Sequence, residues 1–364
     1  MQTGLLTTYH KKHSNRSAVA WVLAGVLLTF YVLMYFTDVF TPLAERLHLG
    51  GKWGLYGTLY TLFITVFGIV FIARHGKTPY QRIRTISIMF FQIVFAYSLP
   101  HVMEMFNTPG YNFAYFWPLN YSAFYPSNII HQPLPFILYS FIGAFILVPV
   151  LTYLYGKRWY CSWVCGCGGL AETAGDSFRH LSSKTSKSWK FERYSIYIVL
   201  LLAVLTTAVV VSAFILESRS GGQYSAMYPT FSKISGPVKG FYSFVVGAIL
   251  SGVVGVGMYP LMGSRVWCRF FCPLAGLMGL IQKFGRFRIT VKDEMCISCG
   301  NCSAYCEMGI DVRQYAQNNQ DFKRAACVGC GICAHVCPRG VLKLENKWDF
   351  ASWGDSAGVE HADV

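Results

Sequence analysis

Apolar and polar positions divide this chain into long blocks rather than short alternations. Six stretches, Ala18 to Thr37, Leu55 to Ala73, Thr85 to Met103, Leu134 to Tyr155, Ser195 to Leu216 and Tyr242 to Met262, contain no Asp, Glu, Lys or Arg. Each is about 20 residues long, enough for a helix to cross roughly 30 Å of hydrocarbon. The pattern predicts a polytopic α-helical membrane protein with about six transmembrane helices within residues 18–262. The first stretch follows a short basic leader (residues 1–17), is too long for a signal-peptide core and precedes no A-x-A cleavage pattern, so it is expected to remain as an anchor. Composition agrees, because 54% of the 364 residues are apolar and only 13% charged, against about 25% charged in an average soluble domain.

The formal net charge of +14 raises nucleic acid as a partner, but the distribution of charge argues against it. The N-terminal tail, the second loop, the fourth loop and the C-terminal segment carry 26 of the 31 Lys and Arg. Basic loops stay in the cytoplasm, so both termini are expected on the cytoplasmic side of a bacterial inner membrane, with anionic lipid headgroups as secondary partners.

All 13 cysteines fall in segments that this rule places in the reducing cytosol, which favours metal binding over disulfides. Eight form two consecutive runs, Cys296, Cys299, Cys302, Cys306 and Cys327, Cys330, Cys333, Cys337, each reading C-x2-C-x2-C-x3-C, with Pro338 after the second. The alternative is a pair of structural zinc sites, although zinc ribbons normally pair two C-x2-C hairpins. The runs resemble those of bacterial two-cluster ferredoxins, in which the last cysteine of each run ligates the other cluster. The resemblance implies two 4Fe–4S clusters, one on Cys296, Cys299, Cys302 and Cys337, the other on Cys327, Cys330, Cys333 and Cys306. It also implies a small α+β ferredoxin-like domain over residues 293–345, too small to build a sufficient apolar core, whose folding would depend on its clusters. Glu307 stands where that family has Pro, and is expected to add negative charge that lowers the potential of the nearby cluster.

The other five cysteines lie in an internal repeat. Gly156 to Leu170 reads GKRWYCSWVCGCGGL and Gly263 to Leu277 reads GSRVWCRFFCPLAGL, matching as G-x-R-x-aromatic-C-x-aromatic-x-C-x3-G-L. Sites shared between repeats commonly lie at their interface, so Cys161, Cys165, Cys268 and Cys272 are expected to converge at the membrane surface as a third 4Fe–4S site. Aromatic neighbours such as Trp159, Tyr160, Trp163, Trp267 and Phe270 would either keep it dry or form an interfacial belt. Arg158 and Arg265 could offset cluster charge, but are read first as part of the positive-inside charge. The last two thirds of the chain resemble the membrane polyferredoxins of the NapH, NosR and CcoG type, which carry paired C-x3-C-P motifs at helix ends followed by a two-cluster ferredoxin segment. Cys268 to Pro273 matches this pattern fully. In the first loop Gly166 replaces Pro and an extra Cys167 follows, so that Cys167 is open as a substitute ligand for Cys165 or as a free thiol. The loops then occupy residues 156–170 and, with a connector, 263–292, and a polar tail fills 346–364.

Polar groups near the opposite face complete the candidates. Pro100 is expected to kink or end the third span, and His101 and Glu104, three apart, would share a helical face where they could take protons from a quinol. A second reading makes His101, Met103 and Met105 soft ligands for Cu(I), and a third makes this an ordinary interfacial helix end. Gln92, His131 and Glu217 are weaker candidates of the same kind. The aromatic loop 101–132 holds no Lys or Arg and is expected either to contact another redox subunit or to fold back on its own bundle. No nucleotide-binding loop, triad or acid–base pair indicates a self-contained enzyme. The resemblance implies an electron-transfer subunit linking a quinone/quinol pool and a partner redox complex. A cupric reductase or metallocofactor assembly factor of the CcoG type is the first alternative, and the redox subunit of an ion-coupled complex the second.

Overall fold

The computed structural model of the chain describes residues 18–106, 110–130, 132–219 and 229–346. His131 and most of both tails lie outside them. Six helices are long and apolar enough to cross a membrane: Ala18–Phe36, Lys52–His75, Pro79–Met105, Leu134–Tyr155, Ser186–Arg219 and Ser235–Val254. The chain is therefore a multi-pass helical membrane protein. Outward-facing Val22, Phe67, Ile146 and Leu205 remain exposed on these helices, as expected where lipid is the solvent.

Three departures from the sequence pattern matter for the site. The fifth span begins at Ser186, and its 34 residues reach about 50 Å at 1.5 Å per residue, well beyond the hydrocarbon. Its polar first turns leave the bilayer and place Glu192 Oε2 2.6 Å from Arg269 Nε of the second cysteine loop. Pro100 does not end the third span, because a π-helical stretch, Phe91–Ser98, precedes it and the chain resumes as Leu99–Met105. Pro100 thus sits in the first turn of the resumed helix, where a missing N–H costs least.

The third departure is the outer loop. Tyr111, Phe116, Phe124 and Tyr125 are buried, so the loop folds back into its own bundle rather than offering these rings to another subunit. Its lack of charge makes this entry possible, and its polar tips find partners inside. Trp117 Nε1 donates to Thr207 Oγ1 at 3.1 Å, and Ala114 O accepts from the Tyr160 hydroxyl at 2.8 Å. The Phe116 ring lies against Gly143, about midway along the fourth span, where any β-carbon would collide with it.

On the other side, strand Phe287–Val291 pairs antiparallel with Leu342–Asn346, placing Ile289 opposite Leu344. This unit opens at Phe287 rather than Asp293, because the strand before the first cysteine run closes the sheet. Its apolar residues Phe287, Ile289, Val312, Phe322 and Val328 join one continuous core with Tyr160, Trp267 and Met278 of the membrane domain. The small unit completes its core by sharing its neighbour's.

Candidate metal centres

The two halves of the repeat share the backbone geometry of their opening glycines and second cysteines. Gly156 and Gly263 open the loops at φ 70° and 96°, a region that side chains rarely occupy, which explains why the repeat begins with glycine. Cys165 N donates to Tyr160 O at 2.8 Å, and Cys272 N to Trp267 O at 2.9 Å. Each of these cysteines then caps a short helix, Gly166–Glu172 or Pro273–Phe284, with φ/ψ of −70°/123° and −76°/113°. Cys272 Sγ accepts from Ala275 N at 3.4 Å. In backbone geometry the counterpart of Cys272 is therefore Cys165.

Cys161, Cys165, Cys268 and Cys272 are all buried and share one core cluster. The group is enclosed by protein where the two cysteine loops meet. Helix Gly166–Glu172 enters between the second and third spans, because Gly169 leaves room for Ile88 and Ile64. Ser87 Oγ anchors the same loop through Trp163 O at 3.0 Å. Four sulfurs so enclosed fit a metal cluster, since buried thiolates need a compensating cation.

The two ferredoxin-type runs line two small, partly open pockets. Cys296, Cys299, Cys302 and Cys337 line the first, and Cys306, Cys327, Cys330 and Cys333 the second. Gly300 and Gly331 take equivalent left-handed positions at φ 81° and 76°. Cys337 Sγ accepts from Val341 N at 3.4 Å. Burial pushes the Cys302 and Cys327 thiols up to about 12, so a bound cation is needed to keep them as thiolates. Thiol donors around a partly open pocket, supported by backbone N–H groups, fit a 4Fe–4S cluster.

The sequence did not reveal the buried ion cage between these groups. Arg84, Arg179, Arg265, Glu172 and Glu307 are essentially inaccessible to solvent. Glu172 is 2.6 Å from Arg84 and 3.1 Å from Arg265, while Glu307 is 3.0 Å from Arg265 and 3.4 Å from Arg179. Arg265 Nη1 also donates to Cys161 O at 3.2 Å, and Arg84 Nη1 to Cys330 O at 2.7 Å. This corrects two expectations. Arg265 is part of the site and not merely a topology signal, whereas Arg158 rests over the Phe287 ring, 5.0 Å from its centroid. Burial acts to raise Glu307, but Arg265 and Arg179 outweigh it and hold the carboxyl below its ordinary range. Arg84, Arg179 and Arg265 are matched by Glu172, Glu307 and Asp176, whose Oδ1 lies 3.0 Å from Arg179 Nε, so Glu307 does not act on the cluster as a lone negative charge. A hint was available, since Glu172 is the first acid after Glu104 and stands in a basic loop.

Further bonds seat the second run on the membrane domain. Ser162 Oγ donates to Val328 O at 2.8 Å and the Tyr80 hydroxyl to Gly329 O at 2.8 Å. Gln282 accepts from Lys157 N at 2.6 Å and donates to Arg324 O and Cys327 O at 2.7 and 2.9 Å.

Of the outer candidates, His101 and Glu104 share the helix Leu99–Met105. His101 Nδ1 lies 2.7 Å from Tyr97 O and Glu104 is exposed. Met103 is buried but Met105 is 82% exposed; two residues apart on a helix, they point about 200° apart. They do not form a common copper site with His101.

A 4Fe-4S dicluster domain family matches residues 289–344, and a 4Fe-4S binding domain family matches twice, at 137–187 and 244–292, once over each half of the repeat. The putative electron transport protein YccM of Escherichia coli is 27% identical over 48% of this chain and 47% of its own length. The ferredoxin-type protein NapH of Escherichia coli is 25% identical over 44% and 51%, and the regulatory protein NosR of Pseudomonas aeruginosa 25% identical over 69% and 33%. The chain thus spans about half the length of YccM and NapH. No solved structure matches it. The chain thus joins a match to the 4Fe-4S dicluster domain and two matches to the 4Fe-4S binding domain to six membrane helices, and it is similar to ferredoxin-type proteins such as NapH and to NosR.

Proposed function

We propose that the protein is an electron-transfer subunit that links a quinone/quinol pool to a partner redox complex through three 4Fe–4S clusters. Cys296, Cys299, Cys302 and Cys337 would hold the first, Cys306, Cys327, Cys330 and Cys333 the second, and Cys161, Cys165, Cys268 and Cys272 the third. Such clusters exchange single electrons when bound. The chain itself keeps the three sites in order and dry. Arg265 carries this reading, because one buried side chain touches the Cys161 loop and, through Glu307, the run of the second cavity. The third site therefore faces lipid-soluble carriers. The first cavity, edged by exposed Ile297 and Arg339, faces a soluble partner. The Lys and Arg bias supports the cytoplasmic side of a bacterial inner membrane for the two ferredoxin sites and both termini.

The test is iron and acid-labile sulfide content after anaerobic purification. Three clusters correspond to about twelve irons per chain and two to about eight. Changing Cys161 and Cys268 to Ser should remove about four irons and leave the rest. Unchanged iron in that variant would refute the third site.

A further inference from the structure

We propose that Lys157 is a buried counter-cation shared by the second and third cysteine sites, and that its charge raises the reduction potential of the clusters held there. The inference rests on the electron-transfer reading above and assigns that reaction a positioning residue in the first half of the repeat.

The first observation is a buried charge without a protein partner. Lys157 is 1% exposed, among the most deeply buried large side chains of the protein. Among the described residues its Nζ makes no ion pair and no hydrogen bond. The buried guanidiniums of Arg84, Arg179, Arg265 and Arg269, by contrast, each face a carboxylate. Glu192, the buried acid at the inner end of the fifth span, is already committed to Arg269 at 2.6 Å. A lysine serving only the inside-positive rule would extend its ammonium to water or headgroups. An enclosed ammonium is costly unless an opposite charge compensates it.

The second observation is the place of the residue between two sites. Lys157 O accepts from Cys161 N at 2.9 Å, and Lys157 N donates to Gln282 Oε1 at 2.6 Å. Gln282 Nε2 in turn donates to Cys327 O at 2.9 Å. The residue is thus tied to one ligand loop of each site. A β-carbon at Gly279 would come within 3.3 Å of Lys157 Nζ and 3.2 Å of Ala325 O, so this glycine leaves space for the ammonium beside the segment that leads into Cys327. Burial pushes the Cys161 and Cys327 thiols up to about 12, and the Lys157 charge acts against burial at both.

The third observation is an asymmetry of the repeat. In the second loop the place of Lys157 is taken by Ser264, buried and neutral. The arginines that follow also diverge, since Arg265 turns into the cage and Arg158 rests over Phe287. Lys157 therefore belongs to the first loop alone, the half that Ser162 ties to the second run through Val328 O, and does not follow from the shared loop geometry.

A 4Fe–4S cluster on four thiolates is anionic and gains a further negative charge on reduction, so a fixed cation nearby favours the reduced form. The step concerned is the addition of one electron to the cluster, with no bond or proton exchanged; dithionite supplies that electron in the test.

The test is an anaerobic redox titration of the full chain in nanodiscs, poised with dithionite and mediators and read by EPR, with iron and acid-labile sulfide counted separately. Iron-replete Lys157→Met should shift the reduction equilibrium of the second and third sites about tenfold toward the oxidised form, about 59 mV for one electron. Lys157→Arg, which keeps the charge, should restore most of that shift. The cluster on Cys296, Cys299, Cys302 and Cys337 should not move in either variant. Changing Cys161 and Cys268 to Ser identifies the third site's signal by its loss. Unchanged potentials in iron-replete Lys157→Met would overturn the proposal. So would an equal shift in Lys157→Arg or at all three clusters, either of which marks a merely structural role. If Lys157→Met fails to accumulate, Lys157→Gln decides between the same outcomes. An unaltered chain holding about eight irons would refute the third cluster, and the second site's potential alone would then decide on Lys157, so the two failures can be told apart.

Discussion

At the scale of single residues, Glu307 shows how a local oddity acquires meaning from distant partners. Its carboxylate lies between Arg265 and Arg179, with no measurable exposure. Removing one partner from a buried ionic network leaves the remaining charges uncompensated, typically at about 3–5 kcal/mol. Glu307→Gln should therefore destabilise the seating of the cysteine unit by about that amount, seen as earlier thermal loss of the visible iron–sulfur absorbance; an unchanged transition would count against the cage. The departure at position 307 was visible in the sequence, but its consequence was not, because the arginines that neutralise it come from the third span and both inner loops. The partners of Arg265 were hidden for the same reason. A basic residue in an inner loop satisfies the topology rule whether it faces water or a buried carboxylate.

At the scale of elements, the spans and the cysteine runs were legible because each is a local property of continuous sequence. A charge-free stretch of about 20 residues must be internally hydrogen-bonded in lipid, and a C-x2-C-x2-C run announces its ligands by spacing. The return of the outer loop was left open, since it depends on Phe116 meeting Gly143 and Tyr160 meeting Ala114, contacts that no local pattern encodes. The seating of the Cys165 helix was likewise not legible, because it depends on Gly169 meeting Ile64 and Ile88 of other elements. The cysteine unit itself has a two-stranded sheet and three helices of six residues or fewer. Stripping iron with a chelator under reducing conditions should therefore expose residues 287–346 to protease while the six spans stay intact. Equal resistance before and after stripping would mean that the shared core alone is sufficient.

At the scale of the whole molecule, the fold is a chain of enclosures in which outer loop, bundle, inner loops and cysteine unit each cover part of the next. The orientation of this stack is testable, because a fluorescent protein fused after the last residue should fold and emit in cells, whereas a periplasm-dependent phosphatase fused there should remain inactive. The reverse result would invert the proposed topology. The pairing of cysteines around the two cavities has one more consequence. Cys337 closes the cavity built by the first run, while Cys333, in the short helix just before it, walls the second. Neither chamber can be finished on its own as the polypeptide emerges, and damage at one is transmitted to the other across three intervening residues. Maturation and repair of this pair must therefore treat it as a single object, complete or absent.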